Sequence, residues 1–237
     1  MAAFGKYALT AVSLIWLAAP ALAAEHKPDA VAVLAASKKA MGGSAWDRVK
    51  GSYEEGARGG TPYKTWLDFG SYGMKTETGT GPAAQSQGYD GVRVWQHSAA
   101  GTRTSQDPAA LAEIRTTAYL SNNGFFFTKR FKAQVSYVRL ASEGTARFDV
   151  IETTPEGGRA LELWFDHSSH FLTRVVDRGG ESTITVLASD FRKVGKVTIA
   201  FRLTVRNAKD ETLDEGQVKL IELRAIPRST FAPASGG

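Results

Sequence analysis

Residues 197 to 206 read VTIAFRLTVR. Val197, Ile199, Phe201, Leu203 and Val205 alternate with Thr198, Ala200, Arg202, Thr204 and Arg206. A period of two sends all the bulky apolar side chains to one face of a strand. Working outward, RALELWFD (159 to 166) repeats the pattern with Leu161, Leu163 and Phe165. Turn-forming residues separate such runs at short intervals: Gly59-Gly60, Gly79 to Pro82, Asp90-Gly91, Pro155 to Gly158, Gly179-Gly180, Gly195, and Asn207 to Asp210. Short strands joined by hairpins predict a large antiparallel sheet. In QVKLIELRAI (217 to 226) the apolar phase slips after Leu220, which predicts a bulge or a strand covered on both sides.

Two segments read as helices. Asp29 is placed to cap a helix over residues 30 to 41, with Val31, Leu34, Lys38 and Met41 on one side and Gly42-Gly43 as the stop. Asp107-Pro108 opens a second over AALAEIRTTAYL, with Leu111, Ile114 and Ala118 on one face. A short helical turn is expected from Ser44 to Val49. About ten strands lie near the size at which an open sheet must curl or split. The expected fold is therefore mainly β, a strongly curved antiparallel sheet or incomplete β-barrel whose concave face is covered by the helices. A closed eight-stranded barrel is the rival.

The first 23 residues have the layout of a secretory signal: Lys6, an apolar run from Tyr7 to Ala19, Pro20, then Ala21-Leu22-Ala23. Cleavage is expected after Ala23, followed by one domain over residues 24–231 and a disordered tail at 232–237. Removing 1–23 takes away Lys6 alone, so the formal charge falls from +5 to +4. That surplus is spread along the chain with no Lys/Arg cluster, which argues against nucleic acid. The chain has no cysteine, which rules out a disulfide framework, thiolate chemistry and Cys-ligated zinc.

The series AWDRVKGSYEEG (45 to 56), GYDGVRVWQ (88 to 96), LELWFDHSSHFLTRVV (161 to 176) and SDFRKVGKVTIAFRLTV (189 to 205), finished by ELRAIPRSTFAP, resembles the LolA-like group of outer-membrane lipoprotein-sorting proteins in order and spacing. The resemblance implies a LolA/LolB-like incomplete barrel with helices as a lid over an apolar cavity. It also implies a soluble periplasmic protein that shelters lipid or lipoprotein acyl chains. The same module precedes retropepsin-like domains elsewhere, but this sequence holds no D-T-G or D-S-G triplet.

No G-x-S-x-G, S-x-x-K or H-E-x-x-H motif is present, so an enzyme is not expected. In Asp166-His167-Ser168-Ser169-His170 the two histidines could share a metal, yet a polar run between two strong strands reads first as a hairpin turn, and no metal or other cofactor is expected. Glu54 and Glu55 are adjacent on a strand, point to opposite faces and read as solvated surface.

The aromatic residues carry the functional reading. Trp66, Trp95, Trp164, Phe125, Phe126 and Phe127 exceed what one buried sheet face requires and are candidates for lining a ligand cavity. In NNGFFFTKRF (122 to 131) an extended run would aim Phe125 and Phe127 one way and Phe126 the other, with Lys129 and Arg130 available to a partner or membrane. Ordinary core, cavity lining and partner contact all fit that segment. The reading that follows is a monomeric, non-catalytic periplasmic carrier of a lipid or lipidated protein. An envelope sensor or protein-interaction module with a filled core is the alternative, and a metal-dependent hydrolase around His167 and His170 comes third.

Overall fold

Thirteen strands hydrogen-bond into one sheet in the computed structural model, which describes residues 29–180 and 182–233. They are β1 Gly51–Arg58, β2 Thr61–Asp68, β3 Met74–Thr78, β4 Gln85–Tyr89, β5 Val94–Ser98, β6 Gly101–Ser105, β7 Ala133–Glu143, β8 Ala146–Pro155, β9 Leu161–Asp166, β10 Leu172–Asp177, β11 Ile184–Val194, β12 Val197–Arg206 and β13 Thr212–Leu223. All neighbours are antiparallel, in the order β6-β5-β4-β3-β2-β1-β13-β12-β11-β10-β9-β8-β7. The expected signal segment and the last four residues of the expected tail lie outside the described residues.

Every strand pairs with its neighbour in sequence except β6 with β7. β1 pairs with β13, which joins the two halves, and β6 and β7 form the opposite edges of the sheet. The sheet is thus open and curved, and a closed eight-stranded barrel is not formed. Thirteen strands exceed the ten expected because β3 to β6 are five residues each and carry polar side chains on both faces, which erases the apolar alternation.

Residues 106–132 link β6 and β7, the opposite edges of the sheet, and lie on its inner face; the sheet curls so far that α2 touches β4 through Arg115 and β8 through Tyr119, one helical turn apart. The crossing begins with α2 (Pro108–Ser121), capped by Asp107, which accepts from the Ala110 amide at 2.9 Å. Its deeply buried residues are Thr116, Ala118 and Tyr119, while Leu111 and Ile114 are only partly covered, a correction to the expected face. Thr116 is favoured there because its hydroxyl accepts the Arg159 amide at 2.7 Å and donates to the Ala112 carbonyl. Tyr119 reaches the Thr153 hydroxyl on β8.

The crossing then turns sharply. Asn123 is left-handed at φ 48°, and Gly124–Phe126 form a 3-10 turn in place of the expected extended run. All three phenylalanines point inward, at 2%, 7% and 7% exposure. Gly124 is required because a Cβ there would lie 2.4 Å from the Tyr119 ring. The rings pack by edges and tilts: Phe125 to Phe126 at 4.6 Å, Phe125 to Phe165 at 6.2 Å, Phe126 to Trp46 at 5.7 Å and Trp46 to Phe69 at 6.1 Å. Phe131 meets Tyr72 edge-on at 4.2 Å, so the start of β7 touches the turn between β2 and β3.

Helix α1 (Ala30–Ala40) lies beside this plug, with Asp29 accepting the Val31 amide. It buries Ala30, Val33, Leu34 and Ser37 with Met41 just beyond, while Val31 is 53% exposed. The expected face was rotated because small Ala30 and Ser37 allow closer packing than Val31 would. Lys38 stays at the margin, paired with Asp47 at 2.5 Å. The short turn Gly43–Arg48 follows and sets Trp46 at zero exposure, its indole donating to the Met41 carbonyl at 2.9 Å. The bulge expected in β13 is present: Leu220 faces Glu55 and Val218 faces Gly56, leaving Lys219 unpaired in the ladder.

Trp46→Ala is expected to cost about 3–5 kcal/mol and to lower the melting temperature by roughly 6–20 °C in thermal denaturation followed by circular dichroism. Gly124→Ala is expected to cost about 1–3 kcal/mol in the same measurement, because the Tyr119 ring has to move.

Candidate functional site

Residues paired across antiparallel strands share a face, so the register assigns each side chain to the inner, helix-bearing side or to the outer one. One inner row runs Tyr137, Ile151, Leu163, Val175, Val186, Val205, Asp214. A parallel one runs Ala188, Leu203, Gly216, Arg58, Thr61. The plug covers the first part of this surface, where Ile151, Leu161, Leu163 and Phe165 are buried with the phenylalanines. Ile184, Val186, Ala188, Leu203 and Val205 are only partly buried and belong to neither buried cluster. A strip of aliphatic surface on β11 and β12 thus lies open on the inner face.

Across β13 the inner face changes character. The next row reads Ile221, Glu54, Thr65, Thr76, Gln87, Gln96, Arg103. The Thr65 and Thr76 hydroxyls are 3.1 Å apart. Tyr63 donates its hydroxyl to Glu54, and its ring lies over Gly56, where a Cβ would come within 2.6 Å of both the Tyr63 oxygen and the Gln217 carbonyl. Burial pushes the Glu54 carboxyl above the usual carboxylate range, although the Tyr63 hydroxyl and the Arg58 charge pull the other way. The same burial, with Glu54 beside it, raises the Tyr63 phenol. Arg58 stands over the Tyr63 ring at 5.7 Å and pairs with Asp214 at 3.3 Å.

The expectation of solvated surface at both glutamates therefore needs correction for Glu54, which is drawn inward; Glu55 faces outward and accepts from Tyr53. Sequence reading also passed over the aliphatic strip. Leu203 and Val205 were legible as the apolar phase of a strand, but nothing in the sequence marked where the helices stop covering it.

The six candidate aromatics do not line one space. Phe125, Phe126 and Phe127 fill the plug. The three tryptophans lie on the outer face by register. Trp95 is 1% exposed and donates to the Phe231 carbonyl at 2.8 Å, anchoring the C-terminal segment. Trp66 stacks on Tyr53 at 5.2 Å with Lys75 over its ring. Trp164 lies between the Arg174 and Arg139 guanidiniums, at 4.5 and 5.1 Å, and donates to Glu162. It borders an outer hollow of about 300 Å³ with Arg174, Arg178, Asn207 and Asp210.

Lys129 and Arg130 are both exposed, and Arg130 also clasps the crossing segment to the sheet by donating to the Phe69 carbonyl at 2.6 Å and stacking on Phe127 at 4.4 Å. His167 meets Asp149 at 2.8 Å, and His170 is left-handed at φ 61°. Asp166 organises the hairpin by accepting from Ser168 and Ser169, and its carboxyl is held below the usual range chiefly by the Ser169 amide. Among the described residues no three metal-ligating side chains converge.

No family model matches the chain, and no curated protein matches it in sequence. Solved structures do. A LolA superfamily protein from Nitrosomonas europaea superposes with a TM-score of 0.57 at 14% identity, covering 86% of this chain and 98% of the other. A DUF1329 family protein from Desulfovibrio piger gives a TM-score of 0.56 at 14% identity, covering 86% and 98%. A domain assigned as an outer membrane lipoprotein-sorting protein from Vibrio parahaemolyticus gives 0.56 at 12% identity, covering 85% and 95%. The open, helix-plugged sheet is therefore the LolA-like fold that the sequence resembles.

Proposed function

We propose that the protein is an exported, non-catalytic carrier of the periplasm that holds a lipid or the acyl part of a lipidated protein on the inner face of its sheet. The observation that carries this reading is the strip of partly exposed Ile184, Val186, Ala188, Leu203 and Val205, continuous in register with the buried core yet left uncovered by the plug. A folded protein gains by burying such a strip, and an acyl chain laid along it supplies the missing layer. The fold shared with a lipoprotein-sorting domain supports the reading, as does the secretory layout of residues 1–23. The guest lies beside the phenylalanine rings in this reading, because those rings already satisfy one another.

The filled plug also favours a second reading, an envelope interaction module whose partner protein covers the same strip. The two differ in what copurifies. Mild purification followed by lipid extraction and mass spectrometry is expected to recover a bound lipid, and a fluorescent fatty-acid probe is expected to bind the delipidated protein. Leu203→Asp is expected to weaken probe binding about tenfold, the loss of roughly half a leucine's burial, while the melting temperature shifts by only a few degrees. Absence of both bound lipid and probe binding would favour the interaction module.

A further inference from the structure

Charge is segregated across the first half of the sheet. On β2 to β5 the outer face carries Lys64, Asp68, Lys75 and Glu77, with Lys75 and Glu77 paired at 2.8 Å. The inner face of the same four strands carries no charged side chain; beyond its buried residues it presents Thr65, Thr76, Gln85, Gln87 and Gln96. Gln85, Gln87 and Gln96 are exposed. A face that met only water would have no reason to exclude charge, and the outer face of these strands does not exclude it. What remains is a surface of hydroxyl and amide groups, each able both to donate and to accept.

The charges that border this surface are engaged elsewhere. Glu54 accepts from Tyr63, and Arg58 pairs with Asp214 while stacking on Tyr63. Arg103 lies in the same row but on the edge strand β6, five strands from Glu54 and so about 24 Å away along the sheet at ordinary strand spacing. A phosphate or carboxylate placed on Thr65 and Thr76 would lose water and meet no cation on the inner face of β2 to β5, and Arg115 of α2 beside that face already donates to the Tyr89 hydroxyl at 3.3 Å, so a buried charge there carries a large cost. An uncharged group with several hydroxyls would lose water and recover hydrogen bonds.

The polar surface and the aliphatic strip are parts of one face. From β12 to β2 is three strand spacings, about 14 Å, across Gly216, which adds no side chain. We propose that the inner face binds an amphiphile with an uncharged, polyhydroxyl head group, a glycosylated lipid, its chain on the β11–β12 strip and its head on the hydroxyl and amide groups of β2 to β5. The inference rests on the carrier reading above and adds the class of head group to it.

The test compares two probes of equal chain length below their micelle thresholds, dodecyl maltoside and lauroyl lysophosphatidylglycerol, by titration calorimetry on the delipidated full chain. The second protein is the double variant Thr65→Val and Thr76→Val, which keeps shape and strand preference while removing both hydroxyls. The maltoside is expected to bind at least tenfold tighter than the lysophospholipid. The double variant is expected to lose about tenfold in maltoside affinity while lysophospholipid affinity stays within twofold. Equal binding of the two probes, tighter binding of the anionic one, or a double variant indistinguishable from the parent would overturn the head-group assignment and leave the carrier standing. Failure of both probes to bind would remove the carrier reading and the head-group site with it.

Discussion

The crossing from β6 to β7 is the constraint on which the structure depends. Two strands consecutive in sequence sit at opposite edges of thirteen, so the segment between them has to bridge the two ends of the curled sheet across its inner face. A chain crossing an apolar face must satisfy its own amides and carbonyls, and helical turns do that locally. Hence α2 and the turn at Gly124–Phe126, and hence the placement of three phenylalanines in the middle of the concavity. Arg115 to Tyr89 and Tyr119 to Thr153 fasten α2, and Arg130 to the Phe69 carbonyl and the Phe131 to Tyr72 contact fasten the end that enters β7.

The plug is shorter than the sheet is wide, and the candidate site is what it leaves over. Where the plug ends, the inner face continues as aliphatic strip on one side of β13 and as hydroxyl and amide surface on the other. The bulge at Lys219 lets Val218 and Ile221 both turn inward at the boundary between them. The outer tryptophans serve the sheet instead, two under cationic side chains and one beneath the C-terminal segment.

Much of this architecture was legible in the sequence, because burial imposes periodicity. VTIAFRLTVR became β12 with its apolar phase inward, and LELWFD became β9 with Leu161, Leu163 and Phe165 in the core. Both helix starts were readable from Asp29 and Asp107, since a cap is a local interaction. The helix faces were not, because which side turns inward depends on how closely the backbone can approach, and small Ala30 and Ser37 decided that for α1. Nor was the conformation of the three phenylalanines, where a left-handed Asn123 and the Tyr119 ring outweighed the local preference for extension. Glu54 was misread for a related reason: strand alternation assigns a face but does not say that a tyrosine from the next strand will fold over it. The candidate site was the least legible part, because it is defined by missing coverage.

The pairing of β1 with β13 bears on how the chain assembles. Hairpins β1 to β6 and β7 to β12 can each form from contacts close in sequence, but the ladder that welds them needs residues 212–223 to meet residues 51–58, far apart along the chain. Such a distant closure makes the final step slow relative to the local ones. Until it occurs the two half-sheets are separate ribbons, and the sheet cannot lock into its finished shape before β13 has found β1.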